Sequence, residues 1–152
     1  MKPRSRTLRP MRIPANRALA LLCLALPAVA LGACASTTSS SFKGEQHEVA
    51  QVISSFQSDA KGGEDQKICT TDLASTLTTR LDGASGGCKE AIKRQLTDVD
   101  SYEVTIHSIQ VNSIGAKPTA SAAVTSTYSG KTRSSTLLLV KEDGKWRISG
   151  VQ

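Results

Sequence analysis

Several things are missing from this 152-residue chain. No stretch reaches 18 consecutive apolar residues, so no segment reads as a membrane-spanning helix. There is no Walker loop and no dinucleotide fingerprint, which removes the usual marks of nucleotide chemistry. Neither Cys-x-x-Cys nor His-x-x-x-His spacing occurs, so His47 and His107 do not read as zinc ligands, and no metal or cofactor is expected. Between Val104 and Val140 there is not one Asp or Glu. Aromatic residues make up only 3% of the chain: Phe42, Phe56, Tyr102, Tyr128 and Trp146.

What is present is unevenly distributed. The formal charge is +6, from 19 Lys plus Arg against 13 Asp plus Glu. Six of those cations (Lys2, Arg4, Arg6, Arg9, Arg12 and Arg17) precede an apolar run from Ala18 to Leu31, and residues 1–33 hold no acid. The remainder is then balanced, 13 against 13, and a nucleic-acid partner loses its basic footprint. As a helix, that apolar run would be about 21 Å long at roughly 1.5 Å per residue, short of a hydrocarbon core of about 30 Å. A basic segment, a short apolar segment and then small residues is the layout of a secretory signal peptide. Met1 and Met11 both leave a basic start.

Leu31-Gly32-Ala33-Cys34 closes the segment. It resembles a bacterial lipobox, in which small residues fit the signal peptidase and the Cys thiol takes a diacylglyceryl group. The resemblance implies cleavage after residue 33 and an anchor on Cys34. Two acyl chains, at about 0.8 kcal/mol per buried methylene, give stable attachment without a span. A Ser/Thr-rich tether follows, residues 34–45, and then a single domain, residues 46–152. The expected location is the outer face of a cell membrane or outer membrane. Cys23 leaves with the leader and Cys34 is lipidated, so Cys69 and Cys88 remain. In an oxidising compartment this even remainder predicts one disulfide, against the alternative of two buried thiols.

Val49, Val52, Ile53, Phe56 and Ala60 recur at helical spacing, predicting a helix from about Gln46 to Lys61 that ends at Gly62-Gly63. A short helical step from Glu64 carries Ile68 and Cys69. Thr71 or Asp72 is the expected restart of a helix bearing Leu73, Leu77 and Leu81. Another runs from Cys88 to Leu96. The period then changes to two. Tyr102, Val104 and Ile106 alternate, and Ile109 and Val111 continue out of phase, predicting a β-bulge near His107-Ser108. A second strand spans Thr119 to Tyr128. A third ends in Leu137-Leu-Leu-Val140, a run expected to be covered on both faces. A hairpin at Glu142-Asp-Gly-Lys145 leads to a last strand with Trp146, Ile148 and Val151. The fold class is α+β, with N-terminal helices packed on an antiparallel sheet of about four strands.

The first helix, the Asp65-Gln-Lys-Ile-Cys69 step, the Cys88 helix and the terminal Lys141-Glu-Asp-Gly-Lys-Trp-Arg-Ile148 hairpin together resemble the nuclear transport factor 2-like superfamily. That superfamily includes ketosteroid isomerase and SnoaL-like proteins, and the likeness is to its small exported lipoprotein members. It implies a curved sheet wrapped around a long helix, leaving a conical pocket, with a cystatin-like layout as near neighbour. Its enzymes place Asp, His or Tyr inside the cone. Here Glu103 is out of phase with the apolar positions, and Asp98 and Asp100 read as turn formers. No catalytic set carries across. The expectation is a non-catalytic domain that binds a small apolar ligand or an envelope protein, with Phe56, Tyr128 and Trp146 as pocket candidates. The alternatives are a pocket enzyme using Tyr102, Tyr128 or His107, and an accessory subunit of an envelope complex, with a homodimer possible.

The anchor is directly testable. A Cys34→Ser chain is expected to lose incorporation of labelled fatty acid and to leave the membrane fraction. Continued fractionation with membranes would overturn the lipidated cysteine.

Overall fold

The computed structural model describes residues 41–97 and 102–152. The leader, Cys34, most of the tether, Asp98 and Asp100 lie outside the described residues. Helix α1 covers Glu45–Gly62. Glu45 and Glu48 stand in its first turn and Lys61 in its last, each with the sign the helix dipole favours. Gly63 adopts the left-handed conformation and its N–H bonds back to the Ala60 carbonyl, ending the helix where the glycine pair predicted.

A three-residue helical turn, α2 (Asp65–Lys67), runs directly into a π-helical turn at Ile68–Asp72. The Leu73 N–H bonds to the Ile68 carbonyl, five residues back. Leu73 itself is extended and forms a parallel bridge to Ile148. Helix α3 therefore starts at Ser75, with Ala74 at the cap position, and not at Thr71 or Asp72 as expected. The expectation failed because Asp72 points into the interior and Glu142 takes the capping role instead. Its carboxylate accepts from the Ser75 N–H at 3.0 Å and from the Ser75 hydroxyl at 2.8 Å. Helix α3 ends at Asp82, and α4 spans Gly87–Leu96. Asp82 Oδ1 accepts from the Cys88 N–H at 3.0 Å, supplying α4 with an acceptor for one of its free first-turn donors.

Four antiparallel strands follow in sequence order: β1 (Tyr102–Asn112), β2 (Thr119–Tyr128), β3 (Lys131–Glu142) and β4 (Lys145–Val151). The β1–β2 register slips between Ile106 and Ser108, so His107 is the bulged residue. The slip puts Ile109 back on the face that Ile106 occupied, which is why the apolar phase changes in the sequence. At both tight turns, Ser129-Gly130 and Asp143-Gly144, the two central residues have positive φ, as a two-residue hairpin between twisted strands requires.

One face of the sheet forms the core. Ile106, Ile109, Ala120, Ala122, Val124, Leu137, Leu139, Trp146 and Ile148 are buried against Val49, Ile53 and Ile68. The other face carries Ser121, Thr125, Thr127, Ser134 and Thr136. His107 Nε2 shares a 2.6 Å hydrogen bond with the Thr125 hydroxyl there, so the bulge turns the imidazole outward. Leu138 and Val140 are only half-buried, which corrects the expectation of a strand covered on both faces. Helix α1 is fastened along β1 by side chains. Gln46 Nε2 donates to the Ile109 carbonyl at 2.9 Å, and Gln57 Oε1 accepts from the Val104 N–H at 3.1 Å. These bonds occupy backbone groups of an edge strand that would otherwise be open to pairing.

Cys69, on the π turn, and Cys88, at the start of α4, are at disulfide distance (2.03 Å between sulfurs), the pair expected from the cysteine count. A bridge closing a loop of this length stabilises by about 3 kcal/mol in the chain-entropy model. Replacing both with Ser is therefore expected to lower the thermal midpoint markedly. Thiols that alkylate fully without reductant in the folded chain would refute the bridge.

Candidate functional site

Two cavities open on either side of the segment Thr71–Ala74. The first, about 430 Å³, lies between the core face of the sheet and helices α1, α3 and α4. Phe56, Leu73, Leu77, Leu81, Ile92 and Leu137 provide its apolar wall. Tyr102 meets Phe56 edge to face, with ring centroids 5.9 Å apart. The Tyr102 phenol is hydrogen-bonded to Ser126, and burial pushes its pKa up, so it stays a neutral donor. Among the described residues, Ser126, Ser135 and Arg80 are the other polar side chains in the lining, with no carboxylate and no imidazole. Val151 stands exposed beside it.

The second cavity is about 310 Å³ and polar at its base. Helix α1 supplies Glu48, Val52, Ser55 and Asp59, a stripe at helical spacing, and Lys67, Asp72, Lys145 and Trp146 are among the other residues of the wall. Asp59 and Asp72 are both almost fully buried, at 4% and 2% exposure. Lys67 Nζ lies 2.7 Å from Asp59 Oδ1. One ammonium cannot balance two buried carboxylates. Burial first, then the charge of Asp59 and a hydrogen bond to it, push the Asp72 pKa up to about 7, against the opposing pull of Lys67 and Arg147. Below that pH, Asp72 is a neutral acid that can share its proton with Asp59.

Phe56 lines the apolar cavity. Trp146 does not; it is buried in the core, lines the polar cavity, and carries Lys141 Nζ 5.5 Å from its ring centroid. Lys141 is held there by Glu45 at 2.9 Å and Glu48 at 3.3 Å. Tyr128 pairs across the ladder with Tyr102 and lines neither cavity. The three aromatics therefore do not form one pocket. Cys34 lies outside the described residues. Asp59 and Asp72 were missed by the sequence reading. A signal for Asp59 was present, since it stands three residues after Phe56 on the apolar face of α1. Nothing local marked Asp72.

A long helix against a four-stranded antiparallel meander, with shorter helices closing one end over a cavity, is an architecture shared with solved structures. A protein from Streptomyces avermitilis, provisionally named a dehydratase of the nuclear transport factor 2-like family, superposes with a TM-score of 0.50 at 10% identity, covering 68% of this chain and 90% of that one. The fold is nuclear transport factor 2-like. A Xanthomonas campestris protein provisionally named a calcium/calmodulin-dependent protein kinase II association domain matches with a TM-score of 0.50 at 20% identity, over 72% of this chain and 86% of that one. No protein-family model matches the chain, and no curated protein does. At these identities the likeness establishes the fold of the nuclear transport factor 2-like domain alone. The apolar cavity lies against the core face of the sheet. The carboxyl pair sits outside it, across the Thr71–Ala74 segment.

The raised pKa of Asp72 has a direct consequence for stability. An unfolded Asp releases its proton near 3.8, whereas the folded chain keeps it to about 7. The stability that this proton contributes is full below about 3.8 and is lost as pH rises to about 7, with a slope of at most about 1.4 kcal/mol per pH unit. Asp72→Asn, which keeps a donor for Asp59, is expected to remove that slope. In urea titrations the variant should be the more stable protein at pH 8, and its advantage should shrink towards pH 4. Parallel profiles for the two proteins would contradict the buried acid.

Proposed function

We propose that this chain is an exported, lipid-anchored envelope protein whose nuclear transport factor 2-like domain binds a small apolar ligand in the cavity between the sheet and α1, α3 and α4, without transforming it. The composition of that cavity carries the reading. Its wall is aliphatic and aromatic, and Tyr102, Ser126 and Arg80 offer a few polar contacts to orient a guest. A proton-transfer enzyme needs a titratable base against its substrate, and among the described residues the lining offers neither carboxylate nor imidazole. Two further observations support export and a surface anchor. The leader ends in a lipobox-like Leu31-Gly-Ala-Cys34, and Cys69 and Cys88 are at bonding distance, as an oxidising compartment allows. Among the described residues, no helix is long and apolar enough to cross a membrane.

The test is a titration with an environment-sensitive apolar fluorophore such as N-phenyl-1-naphthylamine. Wild-type protein is expected to bind it saturably. Leu77→Lys puts an ammonium into the apolar wall from the half-buried face of α3 and is expected to weaken binding by roughly tenfold or more, because an unpaired charge resists burial. Circular dichroism should show both proteins folded. Equal affinity in a folded Leu77→Lys protein would remove this cavity as the binding site.

A further inference from the structure

Charge around the apolar cavity is of one sign. Only Arg80 and Val151 of its lining are exposed, so they mark its mouth. The Arg80 guanidinium has no ion-pair partner among the described residues. The positive charge continues along the sheet. Arg133 pairs in register with Ser126, which lines the cavity, and Lys131 pairs with Tyr128. Directly opposed residues share a face, so both cations lie on the cavity side of the sheet, beyond Ser135 on β3. Both are exposed, and neither has an acidic partner among the described residues.

The described acids on the surrounding elements are engaged or turned elsewhere. Asp82, at the end of α3, accepts from the Cys88 N–H. Glu90 lies over Gly86, on a helix that also carries Lys89, Lys93 and Arg94. Glu103 alternates with Tyr102 and Val104 and so takes the other face of β1. Asp59 and Asp72 line the second cavity with Lys67, across the Thr71–Ala74 segment.

An apolar enclosure edged by cations selects its guest. The low-dielectric wall focuses the field at the rim and draws in anions. A guanidinium also presents two parallel N–H donors to a carboxylate or a phosphate. An ammonium would be repelled there, and a wholly neutral guest would gain nothing from the rim. The volume, about 430 Å³, is at the smaller end for ligand sites and suits a single chain.

We propose that the apolar cavity takes a single-chain amphiphile with an anionic head, its chain against Phe56, Leu77, Leu81 and Ile92 and its head on Arg80. This rests on that cavity being the binding site and adds selection by charge.

Decanoate, decyl phosphate, decanol and decylammonium share one chain and differ in the head. Each would be titrated calorimetrically, below its micelle-forming concentration, into the full chain carrying Cys34→Ser, which has no acyl chain of its own to compete. At least one anion is expected to bind roughly fivefold or more tightly than decanol, and decylammonium least tightly. The better anion tells a carboxylate head from a phosphate. Added salt should shrink the anion's advantage, because screening acts on the charged head. Arg80→Gln, at an exposed helix position, is expected to cut the anion-to-decanol ratio roughly threefold or more, and Arg80→Lys to restore part of it. Decanol bound as tightly as both anions, decylammonium bound most tightly, or a ratio unaltered in folded Arg80→Gln would each overturn the anionic head and leave the apolar site standing. Binding of none of the four would overturn both.

Discussion

The interior of this domain depends on how one short segment is held. Residues Thr70 to Ala74 cross between the helices and the end of the sheet, and their backbone finds its partners on β4. Arg147 Nη1 donates to the carbonyls of Thr70 and Thr71, at 2.8 and 3.0 Å, with Leu73 at 3.4 Å. The Ala74 N–H bonds to the Ile148 carbonyl at 2.8 Å. These carbonyls end a π-helical turn and have few helical donors left. Arg147 supplies the donors, and its charge also faces Asp72. Cys69, paired with Cys88, fixes the other end of the same turn to α4.

This crossing divides the space beneath the sheet by polarity. Leu73 projects to the apolar side with Phe56, Leu77 and Leu81. Thr71 and Asp72 project to the other, with Asp59 and Lys67. Asp72 ends the π turn and Leu73 is the first extended residue, and at that change of backbone an acid goes to one cavity and a leucine to the next. The apolar cavity is thereby kept free of the carboxyl pair a few residues away. A separate ionic group, Glu45 and Glu48 with Lys141 over the Trp146 ring, ties the start of α1 to β3 and roofs the indole.

Much of the architecture was legible because it rests on local rules. The helical spacing of Val49, Ile53, Phe56 and Ala60 fixed α1, and Gly63 fixed its end. Alternation located the strands, and the loss of phase after Ile106 located the bulge at His107. Asp143-Gly144 announced a tight hairpin. Charge position separated the six cations of residues 1–33 from a balanced remainder, and counting cysteines left Cys69 and Cys88 to meet. The restart of α3 was misplaced because its cap comes from Glu142, 67 residues away in sequence, and no local pattern encodes that.

The candidate sites divide along the same line. By itself the sequence determined the order of helices and strands, the inward and outward faces, and the absence of acid on the strands from Val104 to Val140, since periodicity and chemistry act over a few residues. Only the tertiary structure decided which aromatics share a cavity: Phe56 with Tyr102 on one side, Trp146 on the other, and Tyr128 with neither. It alone brought Asp59 and Asp72 together around Lys67. Their proximity depends on the π turn and its fastening to β4, and the energetics of a buried charge are set by its neighbours in space, not by those along the chain.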